Sequence, residues 1–284
     1  MRDNNLFKRL VIGGVLGWMV LFGAVPSLML LGVSFLKRHP DNLIEPVFSL
    51  SSYLELLEPA LGSMLFQSML MAATATLLCL VIGYPFAYIV ARAGKRYTKT
   101  LLLLVMIPFW TNTLIRTYAL VAVLKADGVI NRLLLSLGVV DAPIKLMYTQ
   151  TAVFIGLIYT LLPFMILPLY AAVEKLDLRL LEASRDLGAS RWNTFRKITI
   201  PLTMPGIVSG CMLVFLPALG MFYIPDILGG AKTMLLGNYI RDQFLVSRNI
   251  PLGAAASIAM TVIMGVMLFL YYRSVRRAGR KVRI

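Results

Sequence analysis

Charged residues are scarce in this sequence, at 14% of its 284 positions; a soluble domain has about 25%. The mean hydropathy is +0.80, and the apolar residues gather into blocks of about 18 or more, long enough to cross about 30 Å of hydrocarbon. This composition excludes an ordinary soluble domain. Barrel strands are also disfavoured, because they are only about 10 residues long and alternate. The sequence therefore predicts an all-α, polytopic membrane protein.

Histidine and cysteine are also scarce, with one and two residues. His39 follows Lys37 and Arg38 in a loop, and we interpret it as a solvated loop residue. Neither a Ser–His–Asp set nor a His/Cys metal site is therefore expected. Cys79 and Cys211 both lie inside apolar blocks, which argues against a disulfide framework.

The sequence lacks the phosphate-binding pattern GxxxxGK[ST]. Gly94 and Lys95 are followed by Arg96, and the upstream glycine is missing. If ATP is used, another chain must bind it, so we expect no catalytic residue and no cofactor in this chain. The net charge of +15 would suit nucleic-acid binding, but the basic residues lie in short loops between apolar blocks. Membrane topology explains that distribution better, and no nucleic acid is expected as a partner.

Six transmembrane spans are predicted, within a single transmembrane domain that covers residues 1–284. The first apolar run follows a basic N-terminus, as in a signal peptide, but it is too long for one, and we expect a retained helix. The spans are expected at about residues 10–36, 65–90, 101–124, 151–173, 205–227 and 252–272.

Basic charge alternates between the connections that join these spans. Nineteen Lys and Arg residues lie in the two tails, the second-to-third connection and the fourth-to-fifth connection, and eight lie in the other connections. Since basic residues favour the cytoplasmic side of a membrane, both termini are expected in the cytoplasm.

The fourth-to-fifth connection, residues 174–204, carries the charged stretch EASRDLGASRWNTFRKITIP. A helix is predicted from Glu174 onward, with one apolar stripe formed by Leu176, Leu180, Ala183 and Leu187. Gly188 is suited to end this helix, because the position after a helix favours a positive φ. We name residues 174–204 the elbow.

The second half of the elbow is predicted to be another short helix. Ser190 can cap it, and Pro201 is expected to stop it before Pro205 opens the fifth span. The simpler interpretation is a surface loop held by ion pairs. Such a loop does not require an apolar stripe, a glycine bend and a proline stop in this order along the sequence. The elbow is therefore expected to dock into a groove of a cytoplasmic partner.

The elbow resembles the EAA loop of ABC-importer permeases, EAA–x3–G–x9–I–x–L–P. Two positions depart from that pattern, since Ser184 replaces the second alanine and Ile200 replaces the leucine. The stretches IPFWTNTLIRTYAL, LLPFMILPLY and FYIPDILGG resemble permeases of the spermidine/putrescine type, in particular the first of their two permease subunits. The loop pattern itself is matched at Glu182, Ala183, Gly188, Ile198 and Pro201.

This resemblance implies the six-helix fold of type I importer permeases and a place in the bacterial inner membrane. It also implies a second homologous permease subunit, two ATP-binding subunits that hold ATP and magnesium, and a periplasmic polyamine-binding protein. The expected function is polyamine translocation by alternating access, with no hydrolysis by this chain. The residues expected to couple the chain to the ATPase subunits are Glu182, Ala183, Ser184, Gly188, Ile198 and Pro201.

Polar side chains within the third predicted span are candidates for the translocation pathway, since polar groups are costly inside a membrane. Trp110 lies about 14 Å along that helix from its start near Leu101, close to the middle of the bilayer. We therefore assign Trp110, Asn112 and Tyr118 to the pathway. The alternative is helix–helix packing with an interhelical hydrogen bond.

Arg116 lies further along the same span, where an unpaired arginine would not suit a cation pathway. We expect a structural ion pair between Arg116 and Asp226, which lies near the outer end of the fifth span. In a second interpretation, Asp226 binds an ammonium group of a polyamine together with the rings of Phe222 and Tyr223. Both interpretations stay open at this point.

Two other functions fit the sequence less well. One is a permease of the same type for another small solute, such as an aminophosphonate or a metal-loaded ligand, because the binding protein does much of the selecting. The other is an autonomous channel or ion-coupled carrier. Such a carrier usually has several buried carboxylates and two repeated halves, neither of which is visible in this sequence.

Overall fold

The computed structural model describes residues 5–39, 44–230 and 234–281. These residues are largely helical, which confirms the all-α prediction apart from one short hairpin. The hairpin consists of β1 (Leu36–Lys37) and β2 (Glu45–Phe48), which pair antiparallel with an irregular register between Leu36 and Lys37.

The helices differ widely in length. In the first part of the chain they are α1 (Asn5–Met19), α2 (Val25–Ser34), α3 (Ser51–Glu55), α4 (Pro59–Arg92), α5 (Lys95–Met106), α6 (Thr113–Leu124) and α7 (Val129–Ser136). In the second part they are α8 (Gln150–Glu174), α9 (Leu178–Asp186), α10 (Arg191–Thr194), α11 (Ile200–Gly220), α12 (Tyr223–Gly229), α13 (Leu236–Leu245) and α14 (Ile250–Lys281).

Five helices of the described ranges are long and apolar enough to cross a membrane. They match the first, second, fourth, fifth and sixth predicted spans. The third predicted span contains no such helix, so the total of six stays a prediction. The five helices lie at Val11–Ser34, Pro59–Arg92, Gln150–Glu174, Arg191–Gly220 and Ile250–Arg273.

The third predicted span is interrupted between α5 and α6. A 3-10 turn at Ile107–Trp110 follows α5, and Thr111 is extended, with φ −94° and ψ 149°. Pro108 lies in that turn and has no backbone N–H to continue an α-helical ladder. The chain resumes a helix only after Asn112, which makes the third span a discontinuous one.

The described chain divides into two compact units, although a single transmembrane domain was predicted and stays a prediction. One unit runs to Ser63 and includes Tyr239–Val266. In it the Ser34 hydroxyl hydrogen-bonds Tyr53 Oη at 2.7 Å. Burial, and after it the carboxylates of Glu55 and Glu58, raise the pKa of the Tyr239 hydroxyl.

The other unit, Met64–Asn238 with the chain from Met267 onward, is organised around α8. This helix buries 56% of its most apolar stretch, against 33% for the α4, α11 and α14 spans and none for Val11–Ser34. Its fully buried large side chains are Val153, Leu157, Leu161, Met165, Ile166, Leu169 and Val173.

The contact between α8 and α11 depends on two glycines of α11. A Cβ on Gly206 would collide with Ala172 Cβ and lie 2.8 Å from Pro168 O. A Cβ on Gly210 would lie 2.7 Å from Met165 Sδ. These glycines are four residues apart on one face, a spacing that lets membrane helices approach closely. The α8–α11 pair is therefore closely packed along this face.

A glycine also brings α12 against α8. A Cβ on Gly156 would lie 2.8 Å from Ile224 Cγ2 and would collide with Leu228. The Tyr148 N–H, just before α8, donates a hydrogen bond to Leu228 O at 2.9 Å. The short helix α12 is thus fixed to α8 at both its side chains and its backbone.

The connection between α6 and α8 contains the short, largely apolar helix α7. Asn131 anchors it, because its Nδ2 donates to Lys125 O at 3.2 Å and to Ile144 O at 2.9 Å, and its Oδ1 accepts from the Ile144 N–H at 2.9 Å. We expect this eight-residue helix to lie at the outer membrane interface or to dip in as a re-entrant segment.

Replacing Gly206 with Ala should destabilise the protein, because the added Cβ has no room between Ala172 and Pro168. Overpacking of this kind costs about 1–3 kcal/mol. The matched control is Gly265→Ala, since nothing lies within 4 Å of a Cβ at Gly265. The melting temperature of the detergent-purified protein should fall for Gly206→Ala alone; equal melting temperatures for the two variants would contradict this packing.

Candidate functional site

The first helix of the elbow is α9, and it begins later than predicted. The predicted start at Glu174 is wrong, because α8 extends through Glu174 and the chain then breaks at Lys175–Asp177. Asp177 caps α9, its Oδ1 accepting a hydrogen bond from the Arg179 N–H at 3.0 Å. The apolar stripe begins at Leu176, within the break, so only the cap residue marked the true start.

The bend of the elbow is formed as predicted. Gly188 has φ +78° and follows the last residue of the helical turn. Its N–H donates to Arg185 O at 2.8 Å, and the Ala189 N–H donates to Ser184 O at 3.1 Å, which is a complete Schellman motif. Ser190 then caps α10, its Oγ accepting from the Asn193 N–H at 3.3 Å.

A buried hydrogen bond ties the two helices of the elbow together. It joins Ser184 Oγ to Thr194 Oγ1 at 2.9 Å, and both residues are buried. Ser184 is one of the two positions where the sequence departs from the EAA pattern. The hydroxyl that distinguishes it from alanine is thus paired across the bend. Sequence reasoning missed Thr194, since a hydroxyl ten residues along the chain is no specific signal.

The elbow exposes an apolar surface. Three members of the predicted stripe, Leu180, Ala183 and Leu187, are exposed, whereas Leu181 and Ser184 form the buried face of α9. Leu187 is 88% exposed and Trp192 is 66% exposed. Large apolar side chains in a charged, solvent-facing segment are typical of an interaction surface. We name Leu178, Leu180, Leu187 and Trp192 the apolar patch of the elbow.

Glu182 lies on the same exposed helix. Among the described residues no ion pair within 4.0 Å joins it to Arg179 or Arg185, although both are at pairing distance in sequence. Such exposed pairs contribute little, because solvent screens them and ordering both side chains costs entropy. The Glu182 carboxylate is therefore accessible to a partner.

The second helix of the elbow runs without interruption into the fifth span. The predicted stop at Pro201 is wrong, because the helical segment extends from Arg191 to Gly220. A π-turn at Phe195–Thr199 precedes the proline, and the Ile200 N–H donates to Phe195 O, five residues back. This wider turn shifts the hydrogen-bond register, so that Pro201 fits in the first turn of α11 without breaking the helix. Ile198, a half-buried residue, lies within the π-turn.

Aromatic contacts connect the apolar patch to the membrane helices. The Trp192 ring lies 5.8 Å from that of Phe195, which in turn meets Tyr84 of α4 edge-on at 5.6 Å. A hydrogen bond of 3.0 Å joins Tyr84 Oη to Thr203 Oγ1 of α11. Sequence reasoning missed Tyr84, whose only signal is a polar tip within an apolar block.

The proposed pathway residues of the third span lie at its interruption. Asn112 caps α6, since its Oδ1 accepts from the Leu114 N–H at 2.8 Å. Trp110 and Tyr118 are exposed on this chain, at 78% and 62%. The structure thus gives Asn112 a capping role and leaves both rings accessible; their assignment to a pathway stays a prediction.

Arg116 is buried, with 8% of its surface exposed. Its guanidinium lies 5.5 Å from the Phe109 ring centroid and 5.9 Å from that of Tyr159, and Nη2 donates to Thr113 Oγ1 at 3.0 Å. Two rings therefore surround this charge. These contacts do not support the expected ion pair with Asp226, which stays a prediction.

The fifth span ends in a second interruption, between α11 and α12. The rings of Phe222 and Tyr223 are perpendicular there, with centroids 6.1 Å apart. Asp226 lies in the first turn of α12, where the helix dipole favours a carboxylate, and its N–H donates to Phe222 O at 3.1 Å. The structure thus brings these three predicted residues together, next to α6 and α8.

A cavity of about 580 Å³ lies between α4 and the start of α8. Its polar groups are neutral, so it can supply hydrogen bonds without fixed charge. Sequence reasoning did not identify it. Its lining residues are Gln67, Leu70, Met71, Thr74, Gln150, Phe154 and Leu235.

Comparison with known proteins gives a consistent picture. Residues 83–284 match the family model described as "binding-protein-dependent transport system inner membrane component". The chain is 51% identical over 282 residues to the spermidine/putrescine transport system permease protein PotB of Salmonella typhimurium strain LT2, covering 99% of this chain and 98% of that protein. It is 52% identical over 270 residues to PotB of Escherichia coli strain K12, covering 95% and 98%.

Two solved structures share the fold. A chain of a bacterial ABC transporter for import of the acidic polysaccharide alginate superposes with a TM-score of 0.77 at 19% identity, covering 97% of this chain and 96% of that one. A chain of the inward-facing MetNI methionine ABC transporter gives a TM-score of 0.55 at 18% identity, covering 78% and 99%.

Ser184→Ala and Thr194→Val should each destabilise the elbow, because each leaves a buried hydroxyl without its partner, at a cost of about 1–3 kcal/mol. The double variant should cost less than the two single variants together, since it removes both hydroxyls. Melting temperatures of the four proteins of this cycle test the prediction. Strictly additive losses would mean that the 2.9 Å hydrogen bond does not hold the elbow together.

Proposed function

Because the chain belongs to the family of binding-protein-dependent transport system inner membrane components, we propose that it is the permease subunit of an ATP-driven importer of spermidine and putrescine. It moves the polyamine by alternating access and hydrolyses nothing itself. The choice of cargo rests on the relatives named for spermidine/putrescine transport, which align over nearly the full length of both chains.

The observation that carries this proposal is the elbow. It combines an exposed apolar patch, an accessible Glu182 and a helix that continues from Arg191 into the fifth span as far as Gly220. A docking surface of this kind at the end of a membrane helix transmits movement of a partner into the membrane. The partners proposed for it are two ATP-binding subunits, which bind ATP and magnesium.

The remaining partners follow from the same assignment. A second, homologous permease subunit completes the pathway, and a periplasmic binding protein delivers the polyamine. The lipid bilayer of the bacterial inner membrane surrounds the complex, with both termini of this chain in the cytoplasm. In this arrangement the residues that couple the chain to the ATPase are Glu182, Ala183, Ser184, Gly188, Ile198 and Pro201.

The cargo pathway is proposed to pass the two interruptions of the membrane helices. Discontinuous helices place backbone groups and polar side chains at a depth where a continuous helix has none free. Asp226 supplies negative charge for an ammonium group, and the rings of Phe222 and Tyr223 supply cation–π contacts. Trp110, Asn112 and Tyr118 lie at the other interruption and are proposed to line the same pathway.

Glu182→Lys should weaken recruitment of the ATPase subunits, because it reverses the charge of an exposed carboxylate beside the apolar patch. The ATPase recovered with the tagged permease should fall severalfold, and polyamine uptake should fall with it. Asp127→Lys, the same reversal in an exposed turn between α6 and α7, is the control for ATPase recovery. Unchanged recovery and uptake for Glu182→Lys would remove the docking role.

Asp226→Asn should lower polyamine uptake about tenfold or more, since a hydrogen bond to a charged group contributes about 1.5–3 kcal/mol. Uptake of labelled spermidine is measured at equal amounts of assembled complex. Reduced assembly, instead of reduced uptake per complex, would assign Asp226 to structure. Normal assembly with normal uptake would exclude both roles.

A further inference from the structure

Asn238, in the first turn of α13, has a buried acceptor without a partner. Its side chain is 5% exposed, and its Nδ2 donates to Phe222 O at 3.1 Å. Its Oδ1 is buried and makes no hydrogen bond. An orphan acceptor of this kind costs about 1–3 kcal/mol, so its presence calls for a physical reason.

The other buried asparagines of the described chain show what a structural asparagine looks like. Asn131 uses both ends of its amide, with two hydrogen bonds donated and one accepted. Asn249 accepts at Oδ1 from the Leu252 N–H at 3.4 Å. Among these three residues, only Asn238 has an Oδ1 without a hydrogen bond. A role in holding α13 in place therefore does not explain why this oxygen is buried.

The identity of the orphan atom follows from its neighbour. An amide oxygen and nitrogen are assigned from the hydrogen bonds that they make. Phe222 O can only accept, so the atom that faces it must be the amide nitrogen. The atom left over is therefore an oxygen, and the missing partner is a donor.

The surroundings of Asn238 are also rich in acceptors. Gly237 lies against the end of α11, where an added Cβ would be 2.9 Å from Gly220 O. The last turn of a helix leaves carbonyl groups without intrahelical partners and carries the negative end of the helix dipole. The carboxyl end of α11 thus lies next to Gly237 and Asn238, whereas Phe222 O already accepts hydrogen bonds from the Asp226 N–H and from Asn238 Nδ2. A buried acceptor without a partner, beside the negative end of a helix dipole, favours a cation that carries N–H groups.

We propose that Asn238 Oδ1 and the carboxyl end of α11 form a subsite for one alkylammonium group of the cargo. This inference rests on the proposed function and adds a neutral ligand to the pathway. The Asn238 amide accepts one N–H of the ammonium, and the negative end of the α11 dipole stabilises its charge. Asn238 Oδ1 is buried in this structure, so the subsite is closed and fills when the pathway opens.

Stability and transport together separate this role from a structural one. Asn238→Leu removes an acceptor that has no partner and one hydrogen bond to Phe222 O, which still accepts from the Asp226 N–H, so the melting temperature of the assembled complex should change little. Asn131→Leu is the matched control and should lower it, because it removes three hydrogen bonds. Asn238→Asp keeps an acceptor, although it loses the N–H that donates to Phe222 O, and should retain more uptake than Asn238→Leu.

The measurement is ATP-driven uptake of labelled spermidine and putrescine by proteoliposomes that contain the complete importer. Uptake per complex at low substrate concentration should fall about tenfold for Asn238→Leu. Wild-type uptake by Asn238→Leu, or a melting temperature that falls as it does for Asn131→Leu, overturns the subsite. Competition by sodium or potassium that is lost in Asn238→Leu assigns the subsite to an inorganic cation and overturns the ammonium assignment.

The same experiment distinguishes this inference from the proposed function. If the wild-type complex takes up neither polyamine, the proposed function fails, and the subsite for a polyamine fails with it. If the wild-type complex transports both polyamines and Asn238→Leu does so equally well, only the subsite fails.

Discussion

Close contact between α8 and α11 is the constraint on which the rest of the described structure depends. In a membrane, the hydrophobic effect does not drive helices together, so their association relies on close packing and on few polar bonds. Gly206 and Gly210 allow that packing, because they leave room for Ala172 and Met165. The same central helix also holds α12, through Gly156 and the backbone bond from Tyr148 to Leu228.

This arrangement gives one helical segment two roles. The segment from Arg191 to Gly220 has 30 residues, about 45 Å in length, and it begins in the elbow. It ends at the interruption that Phe222, Asp226 and Asn238 border. A partner that moves the elbow therefore moves the end of the proposed cargo pathway. The contacts of Tyr84 with Phe195 and Thr203 connect α4 to the same helical segment.

The features of the elbow that depend on single residues could be predicted from the sequence, whereas its contacts between distant residues could not. Gly188 and Ser190 were found because positive φ and side-chain capping are properties of single residues. The start of α9 was missed, because the apolar period of α8 continues across Asp177. The bonds of Ser184 to Thr194 and of Tyr84 to Thr203 depend on how distant segments pack, which residue spacing does not record. The interruption of the third span was missed although Pro108 lay in it, since a proline alone also fits a kinked helix.

The π-turn at Phe195–Thr199 has a consequence for how such a chain can change over generations. A π-turn holds one residue more than an α-helical turn does, and the wider turn absorbs that residue, so the helices on either side keep their relative orientation. Loss of a single codon in this stretch would restore α-helical register with little rotation of the apolar patch of the elbow relative to the membrane segment. The membrane segment beyond Ile200 would keep its own orientation and its glycine contacts with α8. A one-residue change in length is therefore tolerated here without turning the surface offered to a partner relative to the surface packed within the membrane.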